Sequence, residues 1–207
     1  MKLRVSSYAL VAALLLGAAT VADAALVRVG RVVVRADGGF TPQTLPRKKY
    51  APISFQGQAD IESTDGGPPP KLVRARLDFD RDGRLSTRGL PVCIPSRIEN
   101  AAPKAARRIC GKALVGTGEV AASISLPGLS GARLRSPLSV FNGPRVNGHP
   151  SVVGHAWTTF PKREVFVTVI PIERRGGPYS YTASVEIPEI AEGGGALTHL
   201  NARIGRR

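Results

Sequence analysis

The string Asp78-Phe79-Asp80-Arg81-Asp82-Gly83 has the opening spacing of a calcium loop, with oxygen ligands at positions 1, 3 and 5 and glycine at 6. Such a loop needs a bidentate glutamate at position 12. Here that position is Gly89, and Arg81, Arg84 and Arg88 add opposing charge. The string therefore reads first as a hairpin: strand 71–80, an Asp-Gly turn, strand 84–88. Asp78, Asp80 and Asp82 stand as a calcium site only in the alternative.

Histidine chemistry is sparse. His149 lies in a turn between Gly148 and Pro150, His155 shares a strand face with Val153 and Trp157, and His199 sits on the polar face of a strand. None has the spacing of a metal motif. A Ser-His-Asp triad is hard to assemble because no aspartate follows Asp82, so a glutamate would have to serve. Gly128-Leu129-Ser130-Gly131 ends in Ala132 and misses the nucleophile-elbow pattern. Glu164, Glu173, Glu186 and Glu189 offer carboxylates for glycoside chemistry, but spacing alone selects no pair. A secreted hydrolase is thus the least favoured reading, and no catalytic residue or cofactor is assigned.

The two cysteines, Cys93 and Cys110, bracket the one segment with helical character. In an oxidising compartment they pair as a disulfide, worth about 3 kcal/mol by loop closure. Free thiols or a metal site are the alternatives, and two cysteines with no nearby histidine make a poor ligand set. Between them, Ser96 and Glu99 have capping-box spacing, and Pro103 fits the first turn of a second helix over 104–109. The insert, about 94–110, is basic: Arg97, Lys104, Arg107, Arg108 and the adjacent Lys112 are candidates for anion binding.

The elements that must hold these groups are strands. Ile53, Phe55, Gly57, Ala59 and Ile61 alternate with polar residues, as do Val73, Ala75, Leu77 and Phe79. Val120 to Leu126 and Tyr179 to Ile187 repeat the pattern, and weaker versions run through 26–36, 132–141, 152–160 and 196–204. A period of two marks strands with one buried face. One strand is apolar on both faces: Val165, Val167 and Val169 on one, Phe166, Ile170 and Ile172 on the other. That pattern suits a strand covered on both sides or a barrel wall, and it makes Val165, Phe166, Val167, Val169 and Ile170 candidate lining for an apolar ligand. Turn strings such as Asn147-Gly148 and Gly176-Gly177-Pro178 punctuate the strands. The 23 glycines and 17 prolines in 207 residues argue against a helical bundle. The expected fold is all-β: an antiparallel sandwich or open barrel of about 8–10 strands with one short disulfide-bracketed helical insert.

Residues 1–24 read as a secretory signal peptide. Lys2 and Arg4 precede an apolar run over 8–19, and Ala22-Asp23-Ala24 offers small residues at the cleavage positions. That run is too short for a membrane span, so cleavage after Ala24 leaves a single all-β domain, 25–207, with no transmembrane helix. Removing two basic and one acidic residue lowers the formal charge from +14 to +13. The charge comes from 22 Arg and 7 Lys, dispersed along the chain, with 5% aromatic residues for base stacking. Export and that dispersion argue against nucleic acid as partner. The dispersed charge reads first as a solvated surface, with an anionic cell-envelope polymer or lipid as the attractor in the alternative.

The stretches Leu77-Asp-Phe-Asp-Arg-Asp-Gly83, Gly89-Leu-Pro-Val-Cys93 and Cys110-Gly-Lys-Ala-Leu-Val-Gly116-Thr-Gly118 resemble uncharacterised secreted β-rich proteins of high-GC actinobacteria, over about 45 residues. The resemblance implies an exported all-β module with a disulfide-tied helix. It carries no activity and no site residues. The expected function is a secreted or wall-associated, non-catalytic binding or structural module. The alternative is a carrier of an apolar or lipid-like ligand in a barrel cavity.

Overall fold

The computed structural model describes residues 25–46 and 49–205, apart from the side chains of Asp80 and Ser130. The segment read as a signal peptide lies outside the described residues. Ten strands form one antiparallel, curled sheet, an open half-barrel rather than a sandwich. In chain order they are β1 (Ala25–Val29), β2 (Val32–Thr41), β3 (Ser54–Ser63), β4 (Arg74–Asp80), β5 (Leu114–Leu126), β6 (Leu129–Asn142), β7 (Ser151–Thr158), β8 (Glu164–Arg174), β9 (Tyr179–Glu186) and β10 (Gly195–Ile204). The spatial order is β1-β2-β3-β10-β5-β6-β7-β8-β9-β4.

Two sequential meanders, β1–β3 and β5–β9, are thus joined by β10, which pairs with β3 on one side and β5 on the other. Local turn chemistry builds the meanders. Leu126 pairs with Leu129 across Pro127-Gly128, where Gly128 takes φ +76, a conformation few side chains tolerate. Asn147 and Gly148 both have positive φ between the bridged Val146 and His149, as a tight reverse turn requires.

β4 departs from its expected place. It is an edge strand whose partner is β9, from Arg74 opposite Glu186 to Asp80 opposite Tyr179. Residues 84–88 form no strand, so the hairpin read over 71–88 does not exist. β4 pairs instead with β9, and the Leu85 amide donates to the Tyr181 hydroxyl at 3.3 Å. Arg74, Arg76 and Asp78 line the outer edge of this strand with charge, which discourages further pairing.

The insert between the cysteines contains a 3-10 turn, Pro95–Arg97, then α1 (Pro103–Cys110) and a second 3-10 turn, Gly111–Ala113. Pro103 occupies the first turn of α1, as its missing N–H allows. The capping box does not form. Pro95 starts the first turn one residue early, so Ser96 lies inside it and Ile94 is the cap, with no side-chain bond. Cys93 and Cys110 are bonded, with Cα atoms 5.2 Å apart.

Beneath the insert, Cys93, Ile98, Ala106, Cys110 and Ala113 pack against Phe141 of β6 and Val153 of β7. Phe141, Val153, Ile98 and Ala106 are fully buried. A second cluster, Ala122, Ile124, Leu134 and Ala191, lies where the β9–β10 connection folds back on β5 and β6.

Candidate functional site

α1 presents its residues in two stripes. Ala106 and Cys110, four apart, face the sheet and are buried. Lys104, Arg107 and Arg108 fall at the i, i+3, i+4 spacing of the outer face, and Lys112 follows four residues after Arg108. Arg97, Lys104, Arg107, Arg108 and Lys112 are all exposed. None of the five is ion-paired among the described residues, whereas Arg31, Arg35, Arg74, Arg76, Arg135 and Lys162 on the sheet and its loops each meet a carboxylate. Arg107 bends toward the sheet: its Nε donates to Ser139 Oγ of β6 at 3.1 Å.

That bend brings Arg107 to a cleft of about 1130 Å3 across β2, β3, β10 and β5. Pairing registers place the cleft side chains in two rows. Gly39, Gln56, Arg203 and Thr117 form one, and the next holds Asp37, Gln58, Asn201 and Glu119. The first row continues through Ser139 to His155, which puts the cleft on the sheet face that carries the insert.

The carboxylates here are already engaged: Glu119 accepts from Arg135 at 2.8 Å and Asp37 accepts from the Gly38 amide at 2.7 Å. Gln56, Gln58 and Arg203 are exposed. Gly118 lets the floor close, because a Cβ there would stand 2.0 Å from the Asn201 carbonyl oxygen. A smaller hollow of about 350 Å3 lies beside Ser54, Leu114 and Arg203.

Two of the three histidines, His155 and His199, are held structurally. His155 is fully buried beneath the insert, and its Nε2–H donates to the Ala101 carbonyl at 2.9 Å. Desolvation, reinforced by nearby Arg107, holds its pKa below the ordinary histidine value, against the pull of that hydrogen bond. His199 forms a pair that the sequence did not suggest. Its Nδ1 lies 2.6 Å from Asp60 Oδ1, and its Nε2 accepts from Asn201 Nδ2 at 3.1 Å. Asn201 in turn accepts from the Glu119 amide at 3.2 Å. Both ring nitrogens are therefore committed, and no serine hydroxyl is among their partners. The 139-residue separation explains why the pair was missed: only the β3–β10 register brings Asp60 opposite His199.

Oδ2 of Asp78 accepts from both Nη2 and Nε of Arg76, at 2.8 and 3.0 Å. The Thr182 hydroxyl and then Arg76 hold its carboxyl below the usual range. Asp82 is exposed, and the Asp80 side chain lies outside the described residues. Among the described residues no group of three His, Cys, Asp or Glu side chains converges on a metal position.

Of the apolar candidates, Val167 and Val169 pack against the core under the insert. Val165, Phe166 and Ile170 are half-buried, and none of the five lines either hollow. One face of the doubly apolar strand is thus accounted for by the insert itself. No described helix is long and apolar enough to cross a membrane. No family model, curated protein or solved structure matches the chain.

Proposed function

We propose that the chain is an exported, non-catalytic binding module that holds an anionic cell-envelope polymer through its disulfide-tied insert. One observation carries the reading: Arg97, Lys104, Arg107, Arg108 and Lys112 stand exposed on a stapled element, without carboxylate partners among the described residues. Charges already paired on the protein have little left to give a ligand. Unpaired cations held at fixed spacing attract a polyanion and lose less freedom on binding it.

The signal-like segment 1–24 and the disulfide support export. The committed nitrogens of His199 and the buried, bonded His155 support a non-catalytic role. The resemblance to secreted β-rich actinobacterial proteins agrees with this reading and adds no ligand.

The test is retention of the purified protein on immobilised dextran sulfate across a salt gradient. Reversing the stripe, with Lys104→Glu and Arg108→Glu together, is expected to weaken binding roughly tenfold or more, because each surface cation contributes up to about 1 kcal/mol. Unchanged retention in the double variant would reject the insert as the binding surface. Vesicles containing phosphatidylglycerol form the second arm: retention on vesicles and none on the polymer would replace polymer by lipid. For export, the N-terminus of the protein recovered outside the cell is expected to be Ala25.

A further inference from the structure

We infer that the cleft beside α1 reads the hydroxyl groups of a carboxylated glycan, making the polymer held by the insert a uronic-acid-type polysaccharide. This rests on the proposed role of the insert and goes one step further, to the chemistry of the ligand. The cleft carries two kinds of group. Arg107 and Arg203 are guanidiniums, planar donors that match a carboxylate. Arg107 is fixed through Ser139 on β6, and Arg203 stands on β10, two strands away. At the usual strand spacing that separation is roughly 10 Å, about the span of two pyranose rings.

Between and beside the guanidiniums lie Gln56, Gln58 and Thr117, with Gln43 at the margin. Gln56 and Gln58 are two apart on one strand and share a face, so their amides sit roughly 7 Å apart along β3. Each amide offers two donors and an acceptor, which complements a sugar hydroxyl able to give and to take a hydrogen bond. Neither glutamine side chain, nor that of Arg203, has a partner among the described residues. Of the acidic lining, Glu119 is neutralised by Arg135, and Asp37, which accepts only from a backbone amide, leaves one negative charge against the two guanidiniums Arg107 and Arg203.

Among the described residues no aromatic ring lines the cleft. Recognition would therefore run through hydroxyl edges and carboxylates rather than stacking, with affinity built by several repeats along a polymer. A bare polyanion such as polyglutamate or polyphosphate would use the stripe on α1 and leave the amides idle.

Gly39 supplies a way to close the cleft. A Cβ placed there meets nothing within 4 Å, and its φ is not in the left-handed range, so Gly39→Leu projects into the cleft without straining β2. The experiment titrates the purified protein with oligogalacturonate and with oligoglutamate of matched charge. Oligogalacturonate is expected to bind about tenfold more tightly, the order expected of a few net hydrogen bonds. Gln56→Ala/Gln58→Ala and Gly39→Leu are expected to erase that preference, while Lys104→Glu weakens both ligands alike. Equal affinities in the unaltered protein overturn the inference. So does a preference that survives both cleft variants. Binding of neither ligand removes the reading of the insert on which the inference stands.

Discussion

Sheet and insert are both rich in cations, but only the sheet pairs some of them with carboxylates. On the sheet, Arg74 sits directly opposite Glu186, Arg35 lies diagonally from Glu62, and Arg135 lies diagonally from Glu119, each pair meeting across strands. Antiparallel pairing brings residues distant in sequence face to face, so selection at one strand can answer a charge on another. The insert has no such neighbour. On α1 the positions within reach of Lys104 are Arg107 and Arg108, and the first turn contains no acid. Charge of one sign is thus partly cancelled on the sheet, where Arg28, Arg133, Arg174 and Arg203 stay without an ion pair among the described residues, and wholly accumulated on the helix. The overall +14 is a poor guide to where a partner would bind.

The contrast can be broken most forcefully at the joint between the regions. Phe141→Ala removes the largest side chain shared by insert and sheet and is expected to cost about 3–5 kcal/mol, read as a lower urea midpoint. Replacing both cysteines by alanine releases the insert from its staple, across a separation of 17 residues. The expected loss is about 3 kcal/mol, with polymer binding weakened while the far meander β1–β3 keeps its amide protection. Loss of protection throughout would show that the two regions do not respond separately.

Acid gives a third perturbation, and its sign follows from His155. Its folded pKa is depressed, so the unfolded chain takes up the proton more readily. Stability is then complete above about 6.5, the ordinary value, and declines as the pH falls below it. A urea midpoint unchanged between pH 7.5 and 5 would contradict the burial of that ring under the insert.

The smallest effects separate charge from stability. Lys104→Ala with Arg108→Ala is expected to leave the unfolding free energy from urea titration within about 0.5 kcal/mol while weakening dextran sulfate retention. A double-mutant cycle on Arg35 and Glu62, both more than half exposed, is expected to return about 0–1 kcal/mol and no change in polymer binding.

The sequence made the strands legible because burial on a pleated sheet leaves a period of two, and β3, β5 and β9 fall where Phe55, Val120 and Tyr181 alternate with polar neighbours. The disulfide and the helix started by Pro103 were legible for equally local reasons. What failed was partnership. Nothing between residues 71 and 88 announces that β4 will pair with β9, and the Asp-Gly string invites a neighbour that never forms. The cleft was invisible for the same reason: Gln56, Arg203 and Thr117 meet only after β10 has been placed between β3 and β5. The cations of the insert were readable, since one short segment contains them all. The glutamines they adjoin were not.

The position of β10 also sets an order of assembly. The two meanders can each form from neighbouring segments, but their union waits for residues 195–204, which follow both in the chain. Until then β3 and β5 present two unbonded edges to one another and to any other chain nearby. Closing them requires contacts as distant as Asp60 with His199, which makes the final step slow relative to the hairpins. A ribosome delivering the chain from its N-terminus would therefore hold an unfinished sheet until residues 195–204 had emerged. The strand that welds the cleft floor is thus also the timing element of folding, and removing it would leave two separated meanders rather than a slightly shorter half-barrel.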